Sequence, residues 1–468
     1  MLLSELVPGG PEIDVSGLAY DDRRVTAGDA FFCVVGSHDG HDHAPGAVAR
    51  GAAALVVQRA LGLGVPEVVV DDARAAMAPA AAAFNGRPTR KLKLAGVTGT
   101  NGKTTTAYLL RSMLEAGGVQ TALIGTVESI VGGQHKPATH TTPEAIDLQH
   151  EFARMLAVGD AAVAMEVSSH ALELHRVDAI EWDVAIFTNL TQDHLDFHTT
   201  MDAYFASKRR LFEADPEHMV INTDDPWGAR LAGEFPTAVT IGLQSGTLQA
   251  TDLEERREAT SFSAGGMRLT VPLPGRFNVL NALAAVAAAR ALGVADSAIV
   301  DGLFGAETAP GRFQPVDAGQ DFTVVVDYAH TPDSLANVLA AARSHARGRV
   351  IVVFGAGGDR DQTKRPLMGA AAAQGADVVI VTSDNPRGED PEAIIADVVG
   401  GAMAGSAPEE IIDRRAAIER AIAMARSDDV IVIAGKGHER GQEFADGRKL
   451  PFDDVAVAQE ALRARLER

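Results

Sequence analysis

The stretch Gly96-Val97-Thr98-Gly99-Thr100-Asn101-Gly102-Lys103-Thr104-Thr105-Thr106 carries the residue types of a phosphate cradle. The alternating run Lys91-Leu92-Lys93-Leu94-Ala95 precedes it and Ala107-Tyr108-Leu109-Leu110 follows, so strand, glycine loop and helix start come in that order. In this arrangement backbone N–H groups and the positive helix end meet an anion. Lys103 reaches the terminal phosphates, and the Thr104 hydroxyl can hold Mg²⁺. The match to G-x-x-x-x-G-K-[ST] is irregular at its start, because Val97 occupies the first glycine position and Gly96 lies one residue early. A chance turn of small residues is the competing reading, and the strand–loop–helix context weighs against it.

Two further strand ends carry polar groups. Met165-Glu166-Val167-Ser168-Ser169-His170 puts a carboxylate at the end of an apolar run, and Thr188-Asn189-Leu190-Thr191-Gln192-Asp193-His194-Leu195-Asp196 follows the next one. Strand C-termini of a parallel sheet converge on one rim, so Glu166 and His194 are expected near the cradle. Glu166 and Thr104 offer the oxygen ligands that Mg²⁺ prefers, and helix caps and turns are the plainer alternative. Lys208, in Tyr204-Phe205-Ala206-Ser207-Lys208-Arg209-Arg210-Leu211-Phe212, reads from its own surroundings as an ordinary solvated helix lysine.

Farther on come Gly355-Ala356-Gly357-Gly358-Asp359-Arg360-Asp361, Thr382-Ser383-Asp384-Asn385-Pro386-Arg387 and Ala434-Gly435-Lys436-Gly437-His438-Glu439. Arg360 and Arg387 could fork onto a carboxylate while Glu439 complements an amine; a structural ion-pair network is the alternative. Asp327-Tyr328-Ala329-His330 could hydrogen-bond a ribose or base.

These groups need elements to hold them. The 468 residues suggest about three domains, with expected bounds of 1–89, 90–310 and 311–468. The first segment is short and mixed α/β: a strand after Gly28, a helix-like stretch from Ala44 to Gly51, then strands at 54–57 and 68–70. From Leu92 strands expected at 162–167, 184–187 and 219–222 alternate with helices, which predicts a mainly parallel sheet. Short alternating runs between Thr247 and Pro272 predict an antiparallel excursion, and a long helix is expected over 279–292. After Pro310-Gly311-Arg312, strands at 323–326, 350–354, 378–381 and 430–433 predict a second, doubly wound sheet.

Forty-two basic against 63 acidic residues give a net charge of −21, which argues against nucleic acid or an anionic membrane as a partner. Cys33 is the single cysteine, so an intrachain disulfide is excluded and a reducing cytoplasm fits. Met1-Leu2-Leu3-Ser4-Glu5 lacks a basic n-region, and no apolar run reaches the ~20 residues of a bilayer span.

Taken together, Thr98 to Thr105, Glu166 to His170, Asn189 with Asp193 to Asp196, and the Lys208 helix form part of an ordered series. Pro274-Gly275-Arg276-Phe277-Asn278, Gly311-Arg312-Phe313 and Asp327 to Pro332 continue it. The series resembles the Mur ligase family across essentially the whole chain, and the irregular first glycine is a mark of that family's TGTNGKT cradle. The resemblance implies a three-domain α/β enzyme of the cytoplasm, expected to be a monomer. It would use ATP and Mg²⁺ to activate the D-glutamyl γ-carboxylate of UDP-N-acetylmuramoyl-L-alanyl-D-glutamate as an acyl phosphate and join an amine to it.

Asp384-Asn385-Pro386-Arg387 resembles the signature of members that take meso-diaminopimelate, whose distal carboxylate lysine lacks. The same reaction with L-lysine or another amino acid, a folylpolyglutamate-type activity and a non-catalytic nucleotide-binding scaffold are the competing readings.

By the same resemblance, Gly99, Thr100, Asn101, Gly102, Lys103, Thr104, Thr105, Asn278, Arg312, Asp327 and His330 surround ATP. Thr104 and Glu166 bind one metal and His194 a second, and Lys208 becomes the family's carbamylated lysine, completing a catalytic set with Lys103. Asp22, Ser37, His38, Thr141, Thr142, Ser168 and Arg176 would meet the UDP-muramoyl dipeptide. Arg360, Asp384, Asn385, Pro386, Arg387, Gly435 and Glu439 would meet diaminopimelate. Three positions depart from the family pattern: His140 where Asn often stands, Leu174 where some relatives have Gln, and Asp22 where Ser is common. An extra carboxylate near a pyrophosphate is unfavourable there unless Arg23 or Arg24 offsets it.

Overall fold

The computed structural model describes residues 1–36, 38–402 and 407–467. Its first layer is a parallel sheet of Gly17–Ala19, Asp29–Phe32, Ala54–Val57 and Glu67–Val69, paired in chain order. The helix Ala73–Phe84 begins where the Asp72 side chain accepts from Arg74 and Ala75 N–H. It buries Met77, Ala78 and Ala80 against Leu3, Phe32 and Val56.

The central sheet runs Leu248–Gln249, Val239–Gly242, His218–Asn222, Val184–Phe187, Lys93–Thr98, Ala162–Glu166, Thr121–Ile124, Glu128–Val131, Gln134–Pro137. All pairs from Leu248–Gln249 to Thr121–Ile124 are parallel. Its inner strands are buried on both faces, as near-continuous apolar runs require. Val97 pairs with Glu166 on one side and Ile186 on the other. The position where a regular cradle has its first glycine is therefore inside the sheet, and a β-branched residue suits it. The alanine-rich helix Arg276–Ala291 is buried along most of its length, and its small side chains let it lie close to the helix Lys103–Ala116.

Thr251–Glu255, Thr260–Ala264 and Met267–Val271 form the expected antiparallel excursion. Thr121–Ile124, Glu128–Val131 and Gln134–Pro137 form antiparallel pairs that the sequence pattern did not announce. Gln134–Pro137 is exposed throughout, so it carries no alternation to read.

The third sheet is ordered Gln314–Pro315, Thr323–Asp327, Val430–Ala434, Val350–Phe354, Val378–Val381, Glu409–Glu410, parallel except for its first pair. One face packs on Ile418, Ile422 and Leu462. The other joins a core that continues into the central layer through the helix Pro332–His345.

Arg414 lies wholly buried, with Nε and Nη2 donating to Asp454 at 2.8 and 2.7 Å and Nη2 also to the Ala434 carbonyl at 2.9 Å. It pins the end of a strand whose next residues form a candidate ligand loop. Asp454→Asn leaves that guanidinium uncompensated, and breaking such a pair costs about 3–5 kcal/mol. Calorimetry is expected to show a clearly lower unfolding temperature for the variant, and an unchanged one would place the pair's partners elsewhere.

Candidate active site

Gly99 and Gly102 shape the cradle. A Cβ on Gly99 would lie 1.9 Å from Thr188 Oγ1, and on Gly102, at φ +88°, 2.2 Å from Asn281 Oδ1. Only glycine lets the loop approach the neighbouring strand and helix this closely. The helix Lys103–Ala116 starts without a side-chain cap, leaving its first N–H groups for an anion.

Asn189 and Thr188 brace the loop. Asn189 Oδ1 accepts from Asn101 N at 2.9 Å, and the Thr188 hydroxyl donates to the Asn101 carbonyl at 2.6 Å. Lys103 Nζ donates to the carbonyls of Gly99 and Thr100 at 2.9 and 2.8 Å. Burial, followed by the charge of Arg312, lowers its pKa.

Lys208 is not the solvated lysine that its local sequence suggests. The helix Met201–Glu213 carries it inward, 1% exposed, with Nζ donating to the same Gly99 carbonyl at 2.8 Å and lying 4.5 Å from the Tyr204 ring centre. Burial and then the neighbouring Lys103 charge hold its pKa well below the usual lysine value. The Glu166 carboxylate, at its strand end, accepts from Thr126 N at 2.8 Å and the Thr126 hydroxyl at 2.9 Å.

His194, at φ +55°, has Nε2 3.4 Å from Asp193 Oδ2. Withdrawal from water pushes its imidazole down to about 3, with His170, Lys208 and Lys103 adding to the fall against the pull of Asp193. It is thus neutral and able to present a lone pair. His170 stands edge-on to it at 4.9 Å, and His198 stacks on Tyr204 at 4.9 Å. Sequence reasoning gave neither of these two histidines a role.

Among the described residues no group of three or more His, Cys, Asp or Glu side chains is gathered as a metal cage. The donors present are the Thr104 hydroxyl, the Glu166 carboxylate and the His194 nitrogen, and Lys208 would add oxygens only once carbamylated. That incomplete set fits an Mg²⁺ that keeps waters and takes substrate phosphate oxygens.

The third sheet's loops reach the cradle. Arg312 Nη2 donates to Thr104 Oγ1 at 3.0 Å, and Asn101 Nδ2 donates to Asp333 Oδ2 at 2.9 Å. Lys364 Nζ lies 3.0 Å from Asp193 Oδ1, with both side chains buried, and His330 Nε2 lies 3.6 Å from the same carboxylate. Burial alone would raise the Asp193 carboxyl, but Lys364 and the two histidines hold it well below the usual range. The Lys364–Asp193 contact escaped the sequence reading, since a lysine just after a polar loop looks solvated.

Between the two layers lies a cavity of about 440 Å³ whose lining includes Asn101, Arg276, Phe277, Arg312, Tyr328 and Asp333. Asn278 and Asp327 also line it, but their polar atoms are engaged internally. Asn278 donates to the Pro274 carbonyl, while Asp327 accepts from Phe313 N and Ala329 N, fixing the loop that carries Arg312. Arg312 stacks on Tyr328, its guanidinium carbon 4.6 Å from the ring centre.

On the other side, Thr142 is buried, its hydroxyl donating to the Glu166 carbonyl at 2.9 Å and accepting from Ser168 N. Thr141 Oγ1 is 3.0 Å from Thr126 Oγ1, and Arg176 Nη1 donates to the Thr142 carbonyl. The Ser168 hydroxyl caps the helix Ser169–Glu173. Arg176 and Arg74 both grip Glu144, at 2.8 and 2.9 Å, tying the first sheet's layer to this rim.

Asp22 is met by Arg50 at 3.0 Å, not by its sequence neighbours. Arg23 is taken by Asp21 and Arg24 by Asp147, so neither offsets Asp22, and no local spacing could show that Arg50 does. His38 is exposed, and Ser37 lies outside the described residues.

In the loops expected to meet the amine, Arg360 is exposed and Arg387, at φ +51°, pairs with Glu443 at 3.2 Å and donates to the Gly358 carbonyl at 2.8 Å. Asp384, Asn385 and Pro386 are buried beneath them, beside Gly435 and Glu439.

Residues 97–289 match the Mur ligase middle domain, and 311–437 match the Mur ligase glutamate ligase domain. The UDP-N-acetylmuramoyl-L-alanyl-D-glutamate–2,6-diaminopimelate ligase of Geobacillus thermodenitrificans is 47% identical over 487 aligned positions, covering 99% of each chain. The ligase of that name from Gloeobacter violaceus is 46% identical, over 98% of this chain and 96% of the relative. A solved structure of a ligase with that name superposes with a TM-score of 0.69 at 33% identity, covering 100% of this chain and 99% of the other. The MurF ligase of Thermotoga maritima in complex with ADP shares the fold at 20% identity and a TM-score of 0.66, over 96% of this chain and 98% of that one. The chain belongs to the Mur ligase family.

Proposed function

We propose that this chain is an ATP-dependent amide ligase that joins meso-diaminopimelate to the D-glutamyl γ-carboxylate of UDP-N-acetylmuramoyl-L-alanyl-D-glutamate, a step of peptidoglycan precursor synthesis. The observation that carries the reading is the 47% identity over 99% of the chain to a relative named for this reaction. The cradle, Glu166, His194 and Lys208 supply the site for activation, and the loops holding Arg360, Arg387 and Glu439 the site for the amine.

The chain's residues account for the steps. The γ-carboxylate oxygen attacks the terminal phosphorus of ATP, giving an acyl phosphate and ADP. The incoming amine then attacks the acyl carbon, and phosphate leaves as the amide forms. Backbone N–H groups from Gly102 to Thr105, the helix dipole and Lys103 bear the charge that spreads over the transferred group. Thr104, Glu166, His194 and carbamylated Lys208 would hold Mg²⁺, which supplies further charge neutralisation when bound. We assign adenosine to the cavity between Phe277, Tyr328 and Asp333, with Asn278 and Asp327 in its walls and the His330 ring bonded to the Tyr328 carbonyl beside it. Thr141, Ser168, Arg176 and the segment around Asp22, Ser37 and His38 would hold the sugar-peptide, Thr142 acting from beneath. We assign the three roles to residues 1–89, 90–310 and 311–468 respectively: uridine recognition, activation and amine choice.

The test is phosphate release by the purified chain with ATP, Mg²⁺ and the UDP-muramoyl dipeptide, comparing amino acids. Turnover with meso-diaminopimelate well above that with L-lysine is expected. Equal rates would overturn the amine assignment, and no turnover with any amino acid would favour a non-catalytic scaffold.

A further inference from the structure

Lys436 follows Gly435 at the end of the strand Val430–Ala434, and its side chain is wholly buried. Its ammonium donates to Asn385 Oδ1 at 2.9 Å and to Glu439 Oε2 at 3.0 Å, with Asp384 Oδ1 at 3.7 Å. Asn385 Nδ2 donates to the same Glu439 oxygen at 2.8 Å, while Asn385 Oδ1 also accepts from Glu443 N at 3.0 Å. The Asn385 carbonyl oxygen is therefore spent on the protein, and one of its two Nδ2–H donors goes to Glu439. Glu439 Oε2 carries two donors, and among the described residues Oε1 carries none. A lysine wholly out of water is rare and persists here because three partners on two loops satisfy it.

We propose that Lys436 is a positioning residue that sets amine selection in two ways. It turns Glu439 so that Oε1 alone faces the non-reacting ammonium of the amino acid, and it balances the carboxylates of Asp384 and Glu439. Two neighbouring arginines are already committed, Arg414 to Asp454 and Arg387 to Glu443. Diaminopimelate carries two carboxylates and two ammonium groups, a net charge of zero, whereas L-lysine carries a net positive charge. A pocket stripped of the Lys436 charge is more negative by one, so it gains for lysine and loses for diaminopimelate. This inference rests on the amide-ligase reading above.

The experiment measures kcat and KM of Lys436→Met for diaminopimelate, L-lysine, ATP and the muramoyl dipeptide, in the wild-type and Glu439→Gln backgrounds. In the wild-type background the diaminopimelate KM is expected to rise about tenfold or more, the size of one lost charge-assisted contact. KM values for ATP and the dipeptide should stay within about twofold, and preference for diaminopimelate over lysine should fall by about tenfold. In the Glu439→Gln background the same change should add little, because partners in one network are not independent.

Lys436→Gln, which keeps a donor without the charge, should shift the preference in the same direction and serves where Met impairs folding. A uniform rise in every KM, an unchanged preference, or losses that simply multiply in the double variant would overturn the proposal. Failure of the wild-type chain to use diaminopimelate would instead sink the functional reading, which is a separate outcome.

Discussion

Lys208→Ala is expected to reduce turnover by roughly 10²–10³-fold or more, the scale of losing one preorganised group that keeps the stabilising charges of a transfer site in place. The KM for the amino acid should change far less, since Lys208 lies at the cradle and not among the amine-facing loops. The physical case begins with burial: an ammonium 1% exposed, next to Lys103 and with one carbonyl acceptor, is poorly satisfied.

Its lowered pKa populates the neutral amine at lower pH than a solvated lysine would allow. A neutral amine attacks CO₂ and loses a proton, forming a carbamate whose two oxygens suit Mg²⁺ or its waters. Carbamylation would thereby change the group from a second cation beside Lys103 to its counter-charge. Intact-protein mass measured under bicarbonate should show the mass of one CO₂, lost in Lys208→Ala. Full activity in the alanine variant would return Lys208 to a packing role.

The second large effect is expected at Arg387. Arg387→Ala should raise the diaminopimelate KM by about 10²-fold, because a site built for a charged group is left with unpaired polar atoms. Two constraints hold this guanidinium flat: Nε on Glu443 and Nη1 on the Gly358 carbonyl. It is thus presented as a fork and not as a waving side chain. Truncation also releases the Glu443 carboxylate toward the substrate's distal carboxylate, adding repulsion to the lost bond. ATP affinity should be nearly unchanged. Steady-state kinetics with each substrate varied in turn decide the matter, and an effect confined to ATP would move this loop away from the amine.

The parallel strands were legible because burial on both faces writes near-continuous apolar runs, and Ala162–Glu166 and Val350–Phe354 are of this kind. The polar residues just past those strands were legible for the same reason, since topology brings strand C-termini to one rim. The exposed edge strand Gln134–Pro137 left no trace, having no buried face to impose a pattern. Lys208 could not be read from its helix, because what buries it is the Gly99 loop, 109 residues away in sequence. Likewise Arg50, and not Arg23 or Arg24, meets Asp22: the partner is chosen by how a helix returns to a loop, which local spacing does not encode. Lys436 and Lys364 were invisible as functional groups for one reason. A lysine's ordinary fate is solvation, and only the third dimension shows when its partners come from elsewhere.

The nine-stranded and six-stranded sheets share no strand, although their layers pack together and side chains such as Asn101 and Asp333 cross between them. On the proposed assignment, activation would hang from the rim of one sheet and amine choice from the rim of the other. Heredity could then edit the two separately: substitutions in a few loops of the six-stranded sheet would give a lineage a different amino acid in its wall precursor. The phosphate chemistry would pass down untouched.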